Sequence, residues 1–442
     1  LRMRIHFLGG AREVGRVSIL LETRSLNILI DCGVKLGGGD DIFPLDPPVP
    51  PDVVLISHAH LDHVGYLPAL VKKYRCTVLA TMPTQDLAEL LNRDMLKLYK
   101  ERGLEPPYSN QDIMDLRKYF LDAEYRVPYR LNDDVCITFF RSGHILGSSM
   151  IKIKVGDVSV LYTGDFSVTN TKTLEKADTA VGDVDILLME STYGHHTDRH
   201  PSRKRIEQEF FRSVMEVVES GGKVLIPAFA VGRAQEVMLV LESRIRCTSQ
   251  ENTKLRSVFI DGMIKQVNDL YRRYWIYLSR EIRNSIRYTG YDPFRSEIFR
   301  YVGRREDIVR SEEPLVIVTT SGMLEGGPAL FYLKEFGEDP NNLICLTGYQ
   351  VPGTIGWQLL NRNKRVTLPD GTSIDVNADV KLFEFSAHAD QPNLFRFVTM
   401  FEDLEYVFCI HGEEHKVEDL SERLRQRNIN AQAPKMGEVF EI

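Results

Sequence analysis

Cysteine is sparse in this chain: six in 442 residues, with no pair at CxxC spacing. That excludes a thiolate zinc knuckle and a dense disulfide framework, and predicts reduced thiols in a cytoplasmic protein. Long apolar runs are missing too. No stretch approaches the roughly 18 residues of a membrane span, and no basic-then-apolar secretion signal opens the sequence. Met3 is the first methionine, so the two residues before it read as additions or a non-standard start. A basic excess is also lacking. Lys plus Arg number 55 against 62 Asp plus Glu, a formal charge of -7. A general coat of basic contacts is therefore excluded, although a local funnel or a bound metal can still attract a polyanion. Repeats, low-complexity tracts, an RRM, a KH loop and zinc fingers are absent, so no ready-made RNA reader is visible.

What remains suits a folded enzyme, with 43% apolar and 26% charged residues over a length that allows one to three domains. The first third alternates short apolar strands such as "LNILI" and "VDILLME" with glycine turns, and Pro83–Lys100 and Asn110–Leu121 read as helices. Near residue 200 a second α/β alternation begins, with a long helix, the strand "KVLIPAFA", and a helical stretch from Lys265 to Ile286. It resembles a nucleotide-binding unit without the dinucleotide fingerprint. Residues 201–314 hold 21 Lys and Arg against 16 Asp and Glu, which reads either as a solvated face or as a side turned to a polyanion. From about residue 380 the pattern of the first third returns. The expected organisation is an α/β first domain over 1–200, an inserted domain over 201–375, and a return to the first domain over 376–442.

The segment "SHAHLDHVG" concentrates His58, His60, Asp62 and His63 within six positions at the end of an apolar strand. Imidazole nitrogens and carboxylate oxygens suit zinc. In a tight loop His58 and His60 can face one ion while Asp62 and His63 face its neighbour. Further ligands are expected where other strands meet small-residue loops: His144 in "RSGHILGSS", Asp165 in "LYTGDFS", His388 in "FSAHAD" and His411 in "CIHGEEH". Singly each is weak. Together they fill two coordination spheres with one acid left to bridge, an arrangement suited to clamping a phosphate during in-line attack. His6 alternates within a strand and reads as structural. His195 and His196 read as exposed or channel-lining, and His415 as a helix cap. Asp31 and Glu190 each read as a strand-end acid closing a turn or as part of the site.

The segments "DCGVKLG", "SHAHLDHVGYLP", "RSGHILGS", "TGDFS", "MESTYG", "IPAFAVGRAQE", "TSGML", "FSAHAD" and "HGE" occur in this order along the chain. In this the sequence resembles the metallo-β-lactamase superfamily, and within it the β-CASP nucleases, which include RNase J and the endonuclease subunit of the eukaryotic cleavage and polyadenylation factor. It is most similar to that factor's archaeal homologues in their short form without a KH region. The resemblance implies an αββα sandwich with an inserted β-CASP domain and two zinc ions per chain. It places His58, His60 and His144 on the first ion, Asp62, His63 and His411 on the second, and Asp165 between them. Asp31 would orient the histidines, and Asp62, Glu190 and His388 would be catalytic, with His388 protonating the leaving oxygen while Glu190 orients it.

Arg233, Ser321, Gly322 and Ser386 are expected to meet backbone phosphates; Gln235 shares a helix start with Arg233, where amides favour an anion. An inserted domain disfavours a small-molecule hydrolase and suits single-stranded RNA threaded past a positive face. The reading is thus a zinc ribonuclease of RNA processing that cuts internally, with 5′-to-3′ trimming, a DNA substrate and a non-catalytic scaffold as rivals. Family analogy adds a homodimer and association with processing machinery, and no membrane.

Overall fold

The computed structural model describes residues 3–35, 42–101, 103–247 and 254–442; Leu1, Arg2 and the Leu36–Gly37 end of the "DCGVKLG" segment lie outside them. The chain divides into two compact units. One takes in the chain up to Asn170 together with Lys176–Arg199 and Ala387–Ile442; the other comprises Thr171–Glu175 and His200–Ser386.

The first unit is built on two seven-stranded mixed sheets. One runs in the order Val439–Glu441, Met3–Gly9, Ser18–Thr23, Asn27–Ile30, Val53–Leu55, Thr77–Ala80, Phe120–Asp122. The other runs Ala431–Gln432, Tyr406–Ile410, Ile186–Glu190, Val158–Tyr162, Ser149–Val155, Val135–Arg141, Pro128–Arg130. Period-2 alternation decides which side chains meet. Ile28, Ile30 and Leu55 of the first sheet share one core with Ile151, Val160, Tyr162 and Leu188 of the second. The intervening Leu161, Leu187 and Met189 point the other way, into a core with Leu394 and Phe397 of helix Gln391–Val398 and Leu420 of helix Glu414–Arg425. Each such side chain, fully buried, contributes about 1.5–3 kcal/mol. This is the αββα layering that the sequence resemblance implies.

The second unit carries a six-stranded sheet in the order Phe299–Tyr301, Val258–Ile260, Leu315–Thr319, Lys223–Pro227, Leu343–Leu346, Asp379–Leu382, parallel at every pairing. Its central strands are almost wholly apolar and buried because helices cover both faces. Val316 and Val318 pack with Val237 and Leu241 of helix Arg233–Arg246, while Ile317 packs with Tyr332 and Leu333 of helix Pro328–Phe336.

Two helices expected from periodicity are broken. The Lys265–Ile286 stretch is a helix over Ile264–Arg273, a 3₁₀ turn over Trp275–Tyr277 and a new helix over Arg280–Asn284. The new helix starts because the Ser279 hydroxyl accepts the Ile282 N–H, a cap that competes with continuation. The Asn110–Leu121 stretch is helical only over Asn110–Asp115, then a 3₁₀ turn, and Phe120–Asp122 is drawn into parallel pairing with Thr77–Ala80. Among the described residues no helix is long and apolar enough to cross a membrane.

Candidate metal centre

The candidate ligand residues gather at strand ends of the first unit. Strand Val53–Leu55 leads into Ser57 and His58, and His60, extended at φ -60° and ψ 145°, begins the short helix Leu61–Val64 that carries Asp62 and His63. The chain packs so tightly here that a Cβ on Gly33 would lie 1.7 Å from the Asp62 carbonyl oxygen. Asp31 and His411 both adopt left-handed backbone, at φ 56° and φ 48°. For residues other than glycine this conformation is uncommon and costs about 1–3 kcal/mol, which surrounding contacts must over-determine.

At Asp31 they do. Its Oδ1 accepts the Ser57 N–H at 2.8 Å, and its Oδ2 accepts the Ser57 and Tyr162 hydroxyls and His63 Nδ1–H, each at 2.7 Å. With its proton committed to Asp31, Ser57 Oγ accepts from His58 Nδ1 at 3.0 Å. Both imidazoles therefore hold a proton on Nδ1 and turn Nε2 inward. His144 is fixed likewise, Nδ1 donating to the Ala387 carbonyl at 2.9 Å.

Two ligand groups result. His58, His60, His144 and Asp165 form one, Asp62, His63 and His411 the other, with donor atoms in each within 4.8 Å of one another. Asp165 Oδ2 lies 3.6 Å from Nε2 of both His58 and His144, and Oδ1 lies 3.5 Å from His63 Nε2 and 3.1 Å from His411 Nδ1. One carboxylate thus faces both groups. Tetrahedral zinc with bonds near 2.0–2.1 Å sets neighbouring donors about 3.3 Å apart, close to these spacings. Among the described residues, His58 Nε2, His63 Nε2 and Asp165 Oδ1 are buried without a hydrogen-bond partner. Leaving three buried polar atoms in that state is costly unless a cation completes them. The residues fit a two-metal centre.

Electrostatics point the same way. Burial holds His58 and His144 well below the usual histidine range, keeping their lone pairs available. Burial acts on His63 and His411 in the same sense, but Asp165 overrides it, lifting His63 well above its ordinary value and His411 to about 10. In the metal-free chain, protons there neutralise the charge that cations would neutralise.

Glu190 ends strand Ile186–Glu190 and accepts Phe166 N–H at 2.8 Å and the Thr192 hydroxyl at 2.7 Å. Both of its carboxylate oxygens meet His388 Nδ1, at 2.9 and 3.0 Å. The His388 ring lies 4.6 Å from that of His144. Of the sequence candidates, His388 thus pairs with Glu190 and joins neither ligand group.

Ser57, Tyr162, Thr192 and the Ala387 carbonyl were missed in the sequence. All four lie within three residues of a candidate site residue, Ser57, Thr192 and Ala387 in loops and Tyr162 as the last residue of strand Val158–Tyr162. His6 bonds Glu22 at 2.9 Å within the first sheet. His195 and His196 lie with Asp419, apart from the centre's two groups, and His415 is exposed. The residues expected to meet phosphate all lie in the second unit. Arg233, Ser321 and Gly322 follow the carboxyl ends of parallel strands, and Gln350 Nε2 donates to the Gly322 carbonyl at 3.1 Å. Gln235 is buried, its side chain accepting the Gly232 N–H at 2.7 Å. Ser386 instead follows edge strand Asp379–Leu382, and its carbonyl accepts from Arg203 at 3.4 Å.

A two-sheet sandwich with a His/Asp centre at its strand ends, interrupted by a parallel α/β unit, defines a metal-dependent hydrolase of the β-CASP type. Family models agree: the metallo-beta-lactamase superfamily domain matches residues 20–192, the Beta-Casp domain 234–359, and the Zn-dependent metallo-hydrolase RNA specificity domain 373–434. Transcription termination factor FttA of Methanocaldococcus jannaschii is 38% identical over 96% of this chain and 69% of its own length. FttA of Methanothermobacter thermautotrophicus is 37% identical over 99% and 72%, and FttA of Thermococcus kodakarensis 36% over 98% and 70%. A crystal structure of an Enterococcus faecalis V583 protein of unknown function matches over the full length of both chains with a TM-score of 0.60 at 14% identity, a likeness of fold. The chain belongs to the archaeal FttA family of metallo-β-lactamase/β-CASP nucleases.

Proposed function

We propose that this nuclease holds two zinc ions and cuts single-stranded RNA internally. The observation that carries the reading is the Asp165 carboxylate facing both ligand groups in the same unit as the Glu190–His388 pair. His58, His60 and His144 would hold one ion, Asp62, His63 and His411 the other, with Asp165 between them. Two bound zinc ions supply positive charge for the phosphoryl oxygens and acidify a water molecule.

The chain's own residues do the rest. Asp31 and Ser57 hold the ring protons of His63 and His58 away from the metal side. Asp62 doubles as ligand and catalytic carboxylate. Glu190 favours the protonated form of His388: burial opposes the charge, the carboxylate overrides it, and the imidazole sits above its ordinary value. As water adds to phosphorus and the bond to the 3′ oxygen breaks, His388 gives that oxygen its proton. Arg233, Ser321, Gly322 and Ser386 serve as phosphate contacts.

Internal cutting is favoured because the similar FttA proteins are named transcription termination factors, and one internal cut separates a transcript from its growing end. The test is a denaturing-gel time course with zinc and an RNA bearing a 5′ ³²P-monophosphate. Discrete labelled fragments longer than one nucleotide are expected. Immediate labelled mononucleotide without intermediates would overturn internal cutting in favour of 5′-to-3′ trimming, and equal cleavage of DNA would overturn the RNA preference.

A further inference from the structure

We propose that segment 264–304 of the second unit is a stacking platform for single-stranded RNA, a deepening that rests on the RNA reading above. This segment holds nine Lys and Arg against four Asp and Glu, and so carries the whole positive excess of residues 201–314. Nine of its 41 residues are aromatic. Charge and rings are also paired in space. Arg287 lies over the Trp275 ring at 5.9 Å, and Lys265 lies over the Tyr301 ring at 5.6 Å. The two pairs bracket helix Ile264–Arg273, whose ten residues span about 15 Å.

Two of the segment's four acids, and Glu175 of the same unit, are already engaged by arginines. Asp269 pairs with Arg272, Asp292 with Arg272 and Arg295, and Glu175 with Arg283. Among the described residues, the side chains of Lys265, Arg287 and Arg300 pair with no carboxylate, and Arg280 meets one only through its backbone N–H, donated to Glu175 at 3.1 Å. The apolar surface is open as well, with Tyr288 75% exposed, Ile276 58% and Tyr301 40%. Large aromatics left this exposed next to unneutralised cations forgo burial without a structural return. A partner that is polyanionic and carries flat apolar faces satisfies both features at once. Single-stranded nucleic acid has that chemistry: phosphates meet the cations and bases stack on the rings. A protein face would bury Lys265 at a cost, since lysine is depleted at interface centres.

The experiment uses the full chain carrying His388→Ala, so that RNA stays intact, and follows the anisotropy of a fluorescein-labelled thirty-nucleotide oligouridine over a salt series. Adding Lys265→Gln and Arg287→Gln should flatten the log–log salt slope by about 1.4, two phosphate contacts on a single strand. Adding Tyr288→Ala should weaken binding about tenfold, and Tyr288→Phe should restore it, because the stacking face is kept. On the unsubstituted surface, 4-thiouridine in the RNA should crosslink to peptides within 264–304, which does not depend on any variant folding. Unchanged affinity and slope, or crosslinks confined elsewhere, would overturn the platform while leaving the ribonuclease reading in place. Polyglutamate binding lost in the variants while RNA binding is kept would assign the surface to an acidic protein segment and equally overturn it. Failure of the catalytically intact chain to bind or cleave any RNA would instead sink the ribonuclease reading itself.

Discussion

Asp31 Oδ2 accepts the Nδ1 proton of His63 at 2.7 Å, and through the Ser57 hydroxyl the same oxygen governs His58. One buried carboxylate thereby sets the tautomer of a histidine in each ligand group. Asp31→Asn keeps the shape and tolerates the left-handed backbone at φ 56°, but removes the charge. Zinc affinity should fall about 10–100-fold, as for other groups that orient metal ligands. Competition with a chromogenic chelator measures it. Unaltered affinity would show that His63 finds its orientation without the acid.

The pairing of Glu190 with His388 predicts a pH signature. A proton donor whose pKa is raised keeps its proton to higher pH than an ordinary imidazole, so activity should decline only as pH climbs past that raised value. Glu190→Gln removes the carboxylate, and the alkaline limb should move to lower pH. His388→Ala should lower kcat about 10²–10⁴-fold with zinc content unchanged. Rate–pH profiles of the three proteins, with metal analysis of each, decide the matter. An alkaline limb that stays put in Glu190→Gln would remove the pair from proton transfer.

Much of this clustering could be read before any fold was known, because the candidate ligands are histidines and aspartates at strand ends within small-residue loops. His58, His60, Asp62 and His63 needed only local spacing. Pairing Glu190 with His388, 198 residues later, could not come from spacing, since strand Ile186–Glu190 and the loop before helix Gln391–Val398 meet only through tertiary packing. Tyr162 was hidden for a related reason: a buried strand tyrosine looks apolar until the acid that takes its hydroxyl proton is seen. The broken Lys265–Ile286 stretch shows the limit of periodicity, since Trp275 and Ile276 sustain an apolar rhythm while Ser279 caps a new helix. Strand Val439–Glu441, pairing with Met3–Gly9 across nearly the whole chain, carries too little pattern in three residues to be seen.

Proton release should accompany metal binding. At pH 7 the metal-free chain holds protons on His63 and His411, while His58 and His144 are neutral. Filling the centre should therefore expel about two protons per chain. Calorimetry in buffers of differing ionisation enthalpy counts them. The same raised values set a stability trend. A histidine whose folded pKa exceeds its unfolded one stabilises fully below about 6.5 and loses that contribution as pH rises through the folded value. For His411 the window runs from about 6.5 up to about 10. Tm of the metal-free chain should fall across it, and Tm of the zinc-loaded chain should fall less. Parallel Tm curves would contradict the shared-proton picture.

Asp165→Asn tests the shared acid directly. The change is nearly isosteric, so packing around this 3% exposed side chain should survive. What disappears is the negative charge that faces both groups, with Oδ2 toward His58 and His144 and Oδ1 toward His63 and His411. The amide nitrogen that replaces one oxygen would present hydrogens where a lone pair is needed, so at least one group loses a ligand and both lose attraction. Zinc content should drop in both groups together, and RNA cleavage should nearly vanish. Loss of a single zinc with substantial cleavage would mean that Asp165 serves one ion, and near-normal content and rate would mean that it serves neither.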